Sequence, residues 1–213
     1  MEREELSMSK TNIPATSLKG RDFINLDIFT VIFIVLFMVC IMVMSMTVYT
    51  QPFGAALGAL IAAPVYMLLR AKTPKTGAIL IFGILFALVM FAMGSGWPIL
   101  VSVVIGTVLA ELIARSRKYT SYIAGSIGYA VLMASTAIGS YVPLLTMKDY
   151  YSRLAATNSI DNEFMAQLVD FISGPYLILA VVVTVITAIC GTLLARGIFK
   201  KHFVKAGLMK EVK

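Results

Sequence analysis

Charge is scarce in this chain. Asp, Glu, Lys and Arg make up 14% of its 213 residues, whereas soluble domains average about 25%. Histidine occurs once, as His202, and cysteine twice, as Cys40 and Cys190, both inside apolar runs. Two isolated thiols provide neither a disulfide framework nor metal-ligand spacing, and they read as small packing residues. There is no HExxH, no serine–histidine pair within an apolar run and no phosphate-cradling GxxxxGK[ST] loop. These absences argue against a zinc protease, an intramembrane serine protease and self-contained ATP hydrolysis. No enzyme activity and no cofactor are expected. A chain of acidic residues suited to proton coupling is missing too.

What the chain has is apolar length. Hydrophobic residues make up 59% of it, too many for a soluble protein of this size to cover. A helix needs about 20 largely apolar residues to cross a bilayer, and only self-satisfied backbone survives there. Six runs qualify, at 27–49, 53–69, 77–93, 97–114, 121–145 and 174–199. The fold class expected is an all-α, six-helix transmembrane bundle over 27–199. A segment at 1–26 precedes it and a basic tail at 200–213 follows it. The segment 1–26 is mostly polar, and no convincing cleavage site follows the first run, so no signal peptide is expected. One connection is long and polar, at 146–173. Phe164, Leu168 and Phe171 recur in it at helical spacing, which predicts a short amphipathic helix lying on the membrane or capping the bundle.

The net charge of +7 follows topology and needs no nucleic acid. Sixteen of the 18 Lys and Arg residues fall in four places. These are Arg3, Lys10, Lys19 and Arg21; Arg70, Lys72 and Lys75; Arg115, Arg117 and Lys118; and Arg196, Lys200, Lys201, Lys205, Lys210 and Lys213. The first and third connections have none. Positive charge marks the cytoplasmic side, so both termini are expected inside and the long loop outside.

Three groups of residues are candidates for function. The first lies at the extracellular ends: Trp97, Tyr141, Tyr150 and Tyr151, with Lys148, Asp149 and Arg153. Interfacial anchoring explains the aromatics. A pocket with apolar walls and a few polar contacts explains the same set, with Trp97 and the tyrosines stacking on a solute and Asp149 and Arg153 orienting it. On that reading Trp97→Ala weakens binding at least tenfold. The second group is a pair of small-residue stripes, Gly54, Gly58 and Ala62 in the second helix and Gly191 and Ala195 in the sixth. They allow close helix approach, either within the bundle or to a separate membrane subunit. The third is Glu111. It follows Trp97 by 14 residues, or about 21 Å of helix, which sets it near the cytoplasmic interface. There it either pairs with Arg115 at i,i+4 or contacts a cytoplasmic partner.

Several stretches together carry a resemblance: LKGRDFINLDIFTVIF, FAMGSGWPILVSVVIGTVLAELIARSRKY, IGYAV, YVPLLTMKDYYSRLA and TLLARGIFKKHFVKAGL. In this order the chain resembles the substrate-binding (S) components of energy-coupling factor (ECF) transporters, most of all the Trep_Strep group, also called the MptD family. The resemblance implies six helices in a bacterial plasma membrane with cytoplasmic termini, and a solute site near the extracellular ends closed by loops. It also implies association with a membrane T component and two cytoplasmic ATPases, and reorientation in the bilayer to release the solute. The function it implies is capture of a vitamin-like or other micronutrient solute. Many S components carry an alanine-rich AxxxA stripe in their first helix, and this chain does not, so docking to the T component is expected at the Gly58 or Gly191 stripe instead. Gly58→Leu is then expected to abolish co-purification with the T component. A stand-alone secondary transporter and a non-transporting membrane scaffold remain the alternatives. The scarcity of ionisable groups within the spans argues against the first of these.

Overall fold

A computed structural model of the chain describes residue 18 and residues 20–204. Arg3, Lys10, Lys19, Lys205, Lys210 and Lys213, with most of the terminal segments expected from the sequence, lie outside the described residues. Six long apolar helices form. They are α1 Gly20–Met44, α2 Gly54–Lys72, α3 Ala78–Met90, α4 Trp97–Ser116, α5 Tyr122–Thr146 and α8 Tyr176–Ile198. Between the last two lie α6 Lys148–Thr157 and α7 Asn162–Ile172. No strand occurs among the described residues, as befits backbone that must satisfy its own hydrogen bonds in lipid. The protein is an all-α, polytopic membrane protein.

The predicted spans match these helices closely, with one offset. The first helix starts at Gly20, ahead of the apolar run, and ends at Met44. Its polar first turn is held by an ion pair from Asp22 to Lys75, 2.6 Å long, in the α2–α3 connection. The long connection 146–173 is two helices where one was expected. Asp161 starts α7 as its N-cap, accepting the Glu163 N–H. Leu168 is buried and Phe164 and Phe171 are partly buried, as their spacing predicts.

Helix contacts close the six spans into a ring in the order α1, α2, α8, α5, α4, α3, with α2 touching α5 across it. In α2 and α5, 61% of an apolar stretch is buried, against 28% in α1 and α8. The outer faces of α1 and α8 are therefore lipid-facing. Lipid gives no hydrophobic drive for helices to associate, so close packing of small residues does this work. The α4–α5 contact is reciprocal. Gly106 of α4 faces Ser135, a Cβ there reaching within 2.5 Å of it, and Gly139 of α5 faces Ser102 in the same way. Ser102 Oγ also donates to Ser135 O at 2.6 Å. Cys40 is buried, as a packing residue should be, whereas Cys190 is exposed on α8.

Six rings fill the middle of the bundle: Phe33 and Phe37 of α1, Tyr66 of α2, Phe82 and Phe86 of α3, and Tyr129 of α5. All six are fully buried. Phe33 meets Phe82 edge-on at 4.9 Å, Phe37 meets Phe86 at 5.1 Å, and Tyr66 lies 4.7 Å from Tyr129. Such pairs are worth about 0.5–1.5 kcal/mol each beyond area burial. Tyr129 also donates to Ala59 O at 2.9 Å, so its hydroxyl is satisfied at membrane depth. This aromatic layer separates the two ends of the molecule. One end carries the start of α1, the α2–α3 and α4–α5 connections and the end of α8, with their basic residues. The other carries α6 and α7.

Candidate functional site

The helix faces that build the aromatic layer continue beyond it into a cavity. On α1, Phe33 and Phe37 lead at four-residue spacing to Ile41 and Ser45. On α3, Phe82 and Phe86 lead to Met90. Ile41, Ser45 and Met90 line a cavity of about 530 Å³, with Ile41 and Met90 one helical turn beyond Phe37 and Phe86. Ile99 of α4 and Ser140, Tyr141 and Leu144 of α5 continue the wall, and α6 and α7 add Tyr151, Ala155, Met165 and Leu168 above it. A second cavity of about 470 Å³ lies between α5, α6 and α7. It shares Leu144, Tyr151, Ala155 and Met165 with the first and has Lys148 and Asp170 in its lining.

The lid is seated on the turn that ends α3. Gly94 and Gly96 have φ of +87° and +84°, a region that favours glycine, and the chain reverses there. Three side chains from α6 and its C-terminal end grip this turn. Asn158 Nδ2 donates to Gly94 O at 3.3 Å, the Tyr151 hydroxyl donates to Ser95 O at 3.3 Å, and the Tyr150 hydroxyl accepts the Trp97 N–H at 3.3 Å. A Cβ on Gly94 would come within 2.8 Å of Asn158, so the turn and α6 touch directly. From the far wall Tyr141 donates to Gln51 O at 2.7 Å. Burial, with a smaller effect of neighbouring Tyr150, pushes the Tyr151 phenol up to about 12. It therefore stays a neutral donor at physiological pH.

Of the residues proposed from sequence for the solute site, the structure brings Tyr141 and Tyr151 into the cavity wall. Tyr150 packs edge-on against Tyr151 at 5.2 Å but stands behind it. Trp97 is 47% exposed at the start of α4, outside the lining, where an interfacial anchor belongs. Asp149 and Arg153 are exposed on the side of α6 away from the cavity. No charged side chain lines the 530 Å³ cavity; its polar groups are Ser45, Gln51, Ser95, Ser140 and Asn158, to which the sequence alone does not point, beside Met90, Met93 and Met165. If the cavity holds a solute, Trp97→Ala is expected to leave its retention within about twofold of the parent, because only a half-exposed ring outside the lining is lost. Co-purifying solute measured per mole of protein checks this.

A family model described as a hypothetical bacterial integral membrane protein (Trep_Strep) matches residues 20–205, which takes in all eight helices. The chain belongs to the Trep_Strep family. Searches of curated proteins and of solved structures returned no match.

In this Trep_Strep protein the small-residue stripes lie inside the bundle. Gly58 faces Phe37 of α1, with a Cβ there 2.5 Å from the ring, and Gly54 faces Ile41 at 3.1 Å. Ala62 and Ala195 are fully buried, and Gly191 lies against the α2 backbone at Leu60 O. Both stripes are used for packing within the chain, and Gly58→Leu would disturb the α1–α2 contact itself. Glu111 is buried at 5% exposure. Its expected pair with Arg115 is not formed among the described residues, and Arg115 is exposed. Glu111 Oε1 instead accepts the Gly77 N–H at 2.8 Å, at the start of α3, and the Tyr119 hydroxyl at 2.5 Å. A carboxylate at a helix N-terminus is favoured by the helix dipole. Burial and this bond raise the Tyr119 phenol above its ordinary value.

Proposed function

We propose that this Trep_Strep protein is the solute-capture subunit of an ECF importer, and that its solute is an uncharged molecule of drug-like size. The observation that carries this is the lidded cavity with an uncharged lining, at the end opposite the basic connections. Lys and Arg concentrate on the cytoplasmic side, so on this reading the cavity faces outward. Burying an unpaired charge is costly, and this wall offers no ion to compensate one. It offers thioethers, aliphatic surface and a few hydroxyl and amide groups, which suit a largely apolar molecule with sparse hydrogen-bonding groups. The aromatic layer supports capture over conduction, because it leaves packed rings where a channel would run. The sequence holds no nucleotide-binding loop, so the energy comes from partners: a T component in the membrane and two cytoplasmic ATPases. With both glycine stripes internal, the T component meets another face of the bundle.

Mass spectrometry of small molecules released from detergent-purified protein tests the reading. The expected result is one species at near-stoichiometric amount, neutral at pH 7. A carboxylate or phosphate ester as the bound species overturns the uncharged class while leaving capture intact. Ion-driven uptake by vesicles containing this chain alone overturns the capture role and favours a secondary transporter. A preparation without any bound small molecule favours a scaffold.

A further inference from the structure

At the basic end of the bundle, four side chains each bury a polar atom that nothing satisfies among the described residues. They are Arg70 Nε, Glu111 Oε2, Tyr66 Oη and Thr73 Oγ1. Their residues are between 0% and 7% exposed. Buried polar groups are almost always paired, so four orphans in one place call for an occupant.

The four share a location. Tyr66 and Arg70 are four residues apart on α2, hence on one face, and Thr73 caps the C-terminal end of the same helix. Glu111 turns inward from α4 and accepts the Gly77 N–H, four residues after Thr73. Room for the guanidinium comes from α5, where a Cβ on Gly125 would overlap Arg70 Nη1. Arg70 makes no ion pair or hydrogen bond among the described residues. The Glu111 carboxylate has committed only Oε1, to Gly77 and Tyr119.

The charges decide what the occupant is. An anion seated on Arg70 would face the free oxygen of Glu111, and a cation seated on Glu111 would face Arg70. The two side chains neutralise each other, so the site suits a small neutral molecule that both donates and accepts. We propose that ordered water fills this gap, accepting from Arg70 Nε and donating to Glu111 Oε2, with the hydroxyls of Tyr66 and Thr73 as its remaining partners. Buried waters typically make about three hydrogen bonds, which this set supplies. The result is a water-bridged ion pair inside the bundle. It ties α2 to α4 and, through Oε1, to the first turn of α3 and the α4–α5 connection, so the basic end is fixed while the lid forms the opposite end.

X-ray hydroxyl-radical footprinting of the full chain in detergent tests the water directly, because radicals form at bound waters. Tyr66 and Phe37 are both fully buried, and Phe37 packs within the aromatic layer against Phe33 and Phe86. Corrected for intrinsic reactivity, Tyr66 is expected to oxidise several-fold faster than Phe37. Equal, near-zero rates mean a dry site and overturn the proposal. A double-mutant cycle tests the pairing. Arg70→Met and Glu111→Gln are each expected to lower the Tm, and the double variant to lose clearly less than the sum. Additive losses overturn the bridge. A phosphate-dependent rise in Tm at constant ionic strength, abolished in Arg70→Gln, would identify a bound anion and overturn it as well.

Discussion

Gly191→Leu is expected to remove most of the folded, monodisperse protein. A Cβ at this position would stand 2.7 Å from Leu60 O, 2.8 Å from Ala63 Cβ and 3.1 Å from Ala59 O. Two of these three are backbone atoms of α2 and cannot rotate away. Pro64 lies within α2, one turn beyond Leu60. Proline has no N–H, so Leu60 O loses its helical donor, and the glycine face of α8 covers that carbonyl. Overpacking a core typically costs about 1–3 kcal/mol, and more where a helix must move. Here α2, one of the two most buried spans, would have to shift. Gly197→Leu on the same helix is the control, because nothing lies within 4 Å of a Cβ there. Size-exclusion profiles of the two variants should differ sharply, Gly197→Leu matching the parent. Similar profiles would mean that the α2–α8 contact is looser than described.

The second large effect is expected at the lid. Ala155 is 2% exposed and lines both cavities. Ala155→Phe puts a ring into the space where they meet, on a helix anchored independently by Asn158 and Tyr151 at the Gly94 turn. Solute retention should fall at least tenfold, equivalent to about 1.4 kcal/mol, while the size-exclusion profile stays that of the parent. Retention at parental level would show that the solute binds elsewhere, and loss of the profile would show that the lid cannot take a ring. Ala156→Phe, one position further on and exposed, should change neither.

The six spans were legible because a bilayer imposes length and apolarity on each helix separately, and hydropathy reads both without knowledge of neighbours. The candidate site was legible only in part. Tyr141 stands out near the end of an apolar run, and Tyr151 in the polar connection that follows it. Asp149 and Arg153 were attributed to the same pocket because 148–157 was not phased as a helix. Once it is, Tyr151 and Ala155 share one face by four-residue spacing, and Asp149 and Arg153 share another. The small-residue stripes show a different limit. Their spacing announces close approach, yet the partner of Gly58 is a phenylalanine at distant Phe37, and nothing local to the stripe says whether that partner belongs to the same chain. Arg70 was read as a topology signal at a helix end. Its inward turn depends on Gly125, 55 residues away in sequence, which no local pattern links to it.

The aromatic layer has a consequence for traffic. Rings from α1, α2, α3 and α5 pack against one another between the cavity and the basic end. On the capture reading, a molecule taken in beneath α6 and α7 would leave by the side it entered. On that reading the chain is a bucket and not a pipe, and carrying the contents to the other side of the membrane would mean tipping the bucket itself.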